Sequence, residues 1–283
     1  MSNVMACIDG SPSAPALCDY AAWASLRLDA PLTFLHMLDS ARYPTRPDLS
    51  GNIGLGSREH LLQELATLDE QRARLALEDG KLMLAAAAER AHAAGVAEPQ
   101  LRQRHGELVD ALRELESDIR LLVIGRQGEA SGSLGLLVGS QLESVIRTVQ
   151  RPILVCPGAF KAPESLLLAW DGSATALAMI ERLAASPLLT GLPCHLLLVG
   201  AANEATRAQL KEAAARLQQA GFAVTTAIRA GEVEETLLGY QAEHAIDLLV
   251  MGAYGHSRMR QYLVGSTTSN LLRDCPSALL ILR

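Results

Sequence analysis

The sequence predicts an α/β protein made of two tandem domains, each a five-stranded parallel sheet doubly wound with helices on both faces. Three observations predict it. One set of landmarks occurs twice along the chain, in the same order. Short, nearly continuous apolar stretches alternate with helical ones. Aromatics are only 4% of a chain that is 49% hydrophobic, so the core must be built from Leu, Ala, Val and Ile.

The repeat is read from its landmarks. Val4-Met5-Ala6-Cys7-Ile8 reads as a buried strand running into Asp9-Gly10-Ser11, and Leu166-Leu167-Leu168-Ala169-Trp170 runs into Asp171-Gly172-Ser173 in the same way. Leu121-Leu122-Val123-Ile124-Gly125 is echoed by Leu248-Leu249-Val250-Met251-Gly252. The first is followed by Gly128, Gly139-Ser140 and an apolar strand at 152–156, the second by Gly255, Gly265-Ser266 and a strand at Ala278–Leu282. The offset between copies falls from 162 positions at Asp9 and Asp171 to 127 at Gly125 and Gly252, so the first copy holds 35 more residues. These are expected between Ser40 and about Gly95. Residues 43–47 and 50–57 are turn-rich and read as loop. Residues 59–94, rich in Leu, Ala, Glu and Arg, read as one long helix. Phe160-Lys161-Ala162-Pro163 is the expected linker. The predicted domains are 1–158, with an insertion over about 40–95, and 163–283.

Each element follows in turn. In the first copy a helix over Ala14–Leu28 is predicted by Leu17, Tyr20, Ala21, Ala24 and Leu28 at 3.6-residue spacing. A strand at 32–37, the long helix, a strand at 100–104, a helix at 107–115, a strand at 120–124, a helix at 139–149 and the last strand complete the unit. The second copy is expected to run strand Leu166–Trp170, helix 174–185, strand 194–199, helix 204–220, strand Ala223–Arg229, helix 233–244, strand 247–251, helix Ser266–Asp274 and strand Ala278–Leu282.

Composition excludes several classes. A net charge of −6 and a pI of about 5.7 argue against broad nucleic-acid or acidic-membrane binding. The longest basic cluster, Arg102-Gln103-Arg104-His105, reads as a solvated strand end. No apolar run approaches the roughly 18–20 residues of a membrane span. The N-terminus shows neither a basic region nor a long apolar one, so a secretory signal is not expected. Five cysteines, an odd number with none two residues apart, fit neither a disulfide framework nor a zinc ribbon. Free thiols in a reducing cytoplasm are expected. The seven histidines form no ligand pair of the usual spacing, so no metal site is expected.

The chemistry is expected at strand ends. Ligands of doubly wound sheets bind beyond the carboxyl ends of strands where the winding reverses. If the first and fourth strands of a copy are neighbours, Asp171 and Gly252 flank one crevice. Gly252-Ala253-Tyr254-Gly255 brings backbone close to a ligand with no Cβ in the way. Gly265-Ser266-Thr267-Thr268 opens a helix whose free N–H groups and dipole favour phosphate. No Walker lysine is present, and Asp-Gly-Ser after the first strand excludes a Rossmann glycine fingerprint.

At these residues the chain resembles a known family. Gly252-x2-Gly255-x9-Gly265-Ser266 is similar to the nucleotide-binding signature of the universal stress proteins, and the Asp171 strand end and terminal strand match it too. The resemblance covers the chain as two tandem family domains. It implies a five-stranded fold of the adenine-nucleotide alpha-hydrolase kind, ATP binding by members that keep the signature, and dimerisation through the last strands. In tandem members it implies pairing of the two copies within the chain. It implies a cytoplasmic stress-response role without well-defined catalysis.

Position by position, the resemblance sets Asp171 near the adenosine, with Gly172 beside it in the nucleotide site, and Val199 along the adenine slot; Met251, read as core, offers an edge to the nucleotide. It sets Gly252, Gly255, Gly265, Ser266 and Thr267 along ribose and phosphates, with His256 and Arg258 inside the loop. The first copy keeps Asp9, Gly125, Gly128, Gly139 and Ser140. Its spacer is ten residues rather than nine, it has Gln141 where the second has Thr267, and it carries Glu129 with no basic residue before Gly139. Its nucleotide site is therefore degenerate. Magnesium would accompany ATP, though no carboxylate cluster marks a dedicated site. No catalytic residue is singled out.

Plainer readings stand beside these. Asp9 and Asp171 could simply cap the following helices. Gly252 could serve only a tight turn, and Met251 the core. Two other functions also fit: an interaction scaffold using the long helical insertion, and an adenylate-handling enzyme. The enzyme reading lacks both Ser-Gly-Gly-x-Asp-Ser and a His-x-Gly-His pair. Homodimerisation is left open.

Overall fold

The computed structural model describes residues 2–38, 55–128, 141–252 and 266–283, without the side chains of 55–62 and 266. The first repeat runs β1 (Asn3–Ile8), α1 (Ala14–Leu28), β2 (Leu32–Leu38), α2 (Leu55–Ala93), β3 (Gln100–His105), α3 (Leu108–Glu114), β4 (Ile119–Gly125), α4 (Leu142–Thr148) and β5 (Ile153–Cys156). The second runs β6 (Leu166–Trp170), α5 (Ala174–Ala184), β7 (Pro193–Val199), α6 (Glu204–Gln219), β8 (Ala223–Arg229), α7 (Val233–Glu243), β9 (Leu248–Gly252), α8 (Ser266–Asp274) and β10 (Ala278–Leu282). One expectation is corrected. Leu55, Gly56 and Ser57 read as loop, but they form the first turn of α2. A glycine there costs about 1 kcal/mol against alanine, too little to stop a 39-residue helix.

The ten strands form one sheet in the order β3-β2-β1-β4-β5-β10-β9-β6-β7-β8. Pairing is parallel within each repeat. Between repeats it is antiparallel, with Leu279 opposite Val155 and Ile281 opposite Ile153. The carboxyl ends of the two sets of strands therefore lie on opposite edges of the sheet.

Helices cover both faces, so the inner strands are apolar on both sides. All five residues of β10 are buried. On one face α1, α2, α5 and α6 enclose a core holding Leu17, Leu84, Ile180 and Leu210. On the other, α3, α4, α7 and α8 enclose Leu112, Ile146, Leu237 and Leu271. The outermost strand β3 is exposed, and its basic residues reach acids: Arg104 lies 2.8 Å from Glu114 and Arg102 lies 3.8 Å from Asp118.

α2 and α6 occupy equivalent places in their repeats. Both end shortly before a glycine with positive φ, Gly95 at 100° and Gly221 at 89°, positions only glycine takes without strain. Counted back from these glycines, α6 corresponds to residues 78–93 of α2. Residues 55–77 are an extension, roughly 35 Å long at 1.5 Å per residue. α2 crosses the sheet closely at Gly80, where an added Cβ would overlap the Gln103 amide and lie 2.6 Å from the His36 ring.

The repeats are joined by more than strand pairing. Arg27 donates from Nε and Nη2 to the carbonyls of Leu188 and Thr190, at 2.9 and 2.6 Å. The linker is tied to both sides. Phe160 packs edge-on against Tyr20 with ring centroids 4.8 Å apart, while Lys161 pairs with Asp247.

Candidate functional site

In each repeat the first and fourth strands are neighbours. β1 lies beside β4 and β6 beside β9. Winding proceeds outward from this pair in both directions, so each crevice sits at a topological switch point.

In the second repeat β6 ends at Trp170, and the chain turns through Asp171 and Gly172. Gly172 has φ 73°, a left-handed conformation that glycine adopts without strain. The Asp171 carboxylate accepts the Ser173 N–H at 2.9 Å and braces the turn. The cap of α5 is Ser173, whose Oγ accepts the Ala176 N–H at 3.1 Å. The reading of Asp171 as a helix cap is thus overturned: a serine two residues on does that work.

Beside this turn, β9 ends at Met251 and Gly252. Met251 is buried in the core with Leu271 and Leu237. A Cβ added to Gly252 would meet no described atom within 4 Å. Val199 ends the strand on the other side of β6 and is half-buried. The next helix starts at Ser266, with Thr267 half-buried and Thr268 buried in its first turn. Asp171, Gly172, Val199, Met251, Gly252, Ser266 and Thr267 thus gather at one edge of the sheet. Gly255, His256, Arg258 and Gly265 lie outside the described residues.

The first repeat arranges the same place differently. Asp9 accepts the Ser11 N–H at 3.1 Å. α1 starts after Ser13, which makes no side-chain cap bond, so Asp9 is not a helix cap either. Ser11 and Ser13, both buried, share a hydrogen bond of 3.0 Å. Ser13 also donates to the Gln127 carbonyl at 3.4 Å, across the two strand ends. A Cβ on Gly125 would lie 3.4 Å from Ser13 Oγ, and one on Gly128 would lie 3.3 Å from Asp9 Oδ2. This crevice is crossed by the chain's own hydrogen bonds. Gly139 and Ser140 lie outside the described residues.

Two neighbours of the second crevice carry no sequence signal. Gln209 of α6 reaches over the turn, and a Cβ on Gly172 would lie 3.1 Å from its Oε1. Trp170 is buried next to Asp171, and its indole N–H has no hydrogen-bond partner among the described residues. Among the described residues no group of three His, Cys, Asp or Glu side chains could hold a metal ion. No helix among them is long and apolar enough to cross a membrane.

Comparison with known proteins gives consistent matches. The model of the universal stress protein family matches residues 1–157 and again 164–283. Universal stress protein Slr1230 of Synechocystis sp. is 36% identical over 287 residues, covering 100% of both chains. The fold matches the crystal structure of a universal stress protein from Archaeoglobus fulgidus with a TM-score of 0.69 at 19% identity, covering 100% of this chain and 99% of that one. It also matches a putative universal stress protein from Pseudomonas aeruginosa with a TM-score of 0.60 at 16% identity, covering 99% and 91%.

Proposed function

Because the chain belongs to the universal stress protein family, we propose that its second domain, taken as 163–283, binds ATP and that the protein acts as a nucleotide-binding regulator in the stress response. The observation that carries this reading is the adjacency of β6 and β9. It sets the Asp171-Gly172 turn beside Gly252, at the edge from which α8 starts. Asp171 and Gly172 would face the adenosine, with Val199 and an edge of Met251 along the base. Gly252, Gly255, Gly265, Ser266 and Thr267 would follow ribose and phosphates, with the free N–H groups of the α8 start favouring phosphate. His256 and Arg258 would meet phosphate charge. Any magnesium would arrive with the nucleotide, held by its phosphates.

The first domain, taken as 1–158, is assigned no such role. Its hydrogen bond from Ser13 to Gln127 crosses the place a ligand would need, whereas the Ser11-to-Asp9 bond is shared with the second repeat. Asp9, Gly125, Gly128, Gly139 and Ser140 are read as a degenerate remnant that supports the fold.

Hydrolysis is proposed to be slow or absent. Phosphoryl transfer needs placed cations and an oriented water. The signature offers Arg258 and Arg260 but no general base. A cytoplasmic setting is part of the reading, supported by five free cysteines. Burial pushes the thiols of Cys7 and Cys194 up to about 12, which keeps them protonated and inert.

The test is extraction and identification of nucleotide from the purified full chain, beside Gly265→Val and Gly128→Val. ATP in the parent and in Gly128→Val, with none in Gly265→Val, is the expected result. Nucleotide-free parent protein whose melting does not shift with added ATP would overturn the proposal.

A further inference from the structure

The extension of α2 over 55–77 leaves the body of the first domain. Gly80 packs on His36 and Gln103 near the carboxyl ends of β2 and β3, so the residues before it run past that edge of the sheet. From 63 to 79 no side chain is buried. Leu68, Leu75 and Leu82 are 48%, 61% and 70% exposed. They stand seven residues apart, and Leu61 continues the spacing in sequence. Seven-residue spacing makes one stripe along a helix. At 100° per residue, Leu75 points half a turn away from Leu84, which is buried against the domain. The stripe is therefore turned outward.

We infer that this stripe joins two copies of the chain, their arms crossing antiparallel at a two-fold axis beside Leu75. The sequence of the stripe is complementary to itself in that arrangement alone. An antiparallel two-fold sets Leu68 against the partner's Leu82, Arg72 against the partner's Asp79 on one flank of the stripe, and Gln71 against the partner's Glu78 on the other. A parallel arrangement sets Asp79 against the partner's Glu78 on both flanks, and these like charges repel. Among the described residues Arg72 pairs with Asp69 at 3.8 Å and is itself 64% exposed, so it can turn to a partner. The terminal strands offer a second copy no place, since β5 and β10 already pair with each other. A two-fold contact between identical helices closes on itself and gives a dimer rather than a filament.

The experiment is sedimentation equilibrium of the full chain, with thermal melting to confirm folding. The parent is expected at twice the chain mass. Leu68→Glu with Leu75→Glu is expected at the chain mass with melting within a few degrees of the parent, because both side chains are exposed. Arg72→Glu is expected to weaken the dimer at least tenfold, and Arg72→Glu with Asp79→Arg to restore it. Under mild oxidation Leu75→Cys is expected to form a covalent dimer and Leu68→Cys is not. A monomeric parent, a dimer indifferent to the double leucine variant, or efficient Leu68→Cys cross-linking would each overturn the inference. None of these readings depends on nucleotide.

Discussion

Arg126 donates from Nη2 to the carbonyl oxygen of Ser277 at 2.8 Å, across the seam between the two repeats. Arg126 follows the last residue of β4, and Ser277 immediately precedes β10. The bond therefore ties the strand end beside the first crevice to the start of β10, the strand of the second domain that meets β5 at the seam. Burial pulls the guanidinium down from the ordinary arginine value, and its Nε–H has no partner among the described residues. The seam is asymmetric, because the second repeat has Ala253 in the position after its glycine.

Replacing Arg126 by methionine is expected to destabilise the protein by about 2 kcal/mol, the range for a hydrogen bond donated by a charged group. The urea unfolding midpoint measures this. An unchanged midpoint would show that the bond contributes nothing to holding the repeats together.

Gly80→Ala sets two effects against each other. Alanine favours a helix interior by about 1 kcal/mol over glycine. Its Cβ would overlap the Gln103 amide and crowd the His36 ring, which is buried and donates from Nδ1 to the Ile8 carbonyl at 3.1 Å. Overpacking of this kind costs about 1–3 kcal/mol, so the expected net effect is destabilisation. A gain in melting temperature for Gly80→Ala would contradict the packing described.

Ser173 and Asp171 are expected to have separable roles. Ser173→Ala removes the α5 cap and is expected to cost about 1 kcal/mol of stability with little effect on nucleotide. Asp171→Ala is expected to weaken ATP binding at least tenfold. Calorimetric titration beside a melting curve checks both, and ATP affinity indifferent to Asp171 would remove it from the site.

His195 makes stability depend on pH. Burial and the neighbouring His244 hold its ionisation below the usual histidine value. Its Nδ1 lies 3.0 Å from the Tyr240 hydroxyl, with Arg229 over the Tyr240 ring and Glu243 beside His244. Because the folded state binds the proton less readily than the unfolded one, this contribution is intact above the ordinary histidine pKa of about 6.5. It is lost as pH falls below that value toward the lower folded one. Melting between pH 7.5 and 5.5 should fall less steeply for His195→Gln than for the parent, and equal slopes would rule the effect out.

Much of this architecture is legible in sequence for a physical reason. Strands buried on both faces must be apolar throughout, so residues 4–8 and Leu166–Trp170 have few other readings. The Asp-Gly-Ser turns mark their ends. Residues whose role depends on tertiary approach leave no such pattern. Gln209 is one exposed polar residue among many on α6, yet it lies over Gly172. Arg126 differs from a surface arginine only in what it reaches. Gly56 and Ser57 carry turn propensity, yet the 39-residue helix they open absorbs it. The outward leucine stripe is periodic in sequence, but only the packing of Gly80 and Leu84 shows which way it faces.

The central claim is a division of labour, in which the second domain binds nucleotide and the first does not. Titration of nucleotide-free protein with ATP, followed by calorimetry with stoichiometry per chain, tests it most directly. One site per chain is expected, lost in Gly265→Val and kept in Gly128→Val. Two sites per chain, or one site lost in Gly128→Val and kept in Gly265→Val, would contradict it.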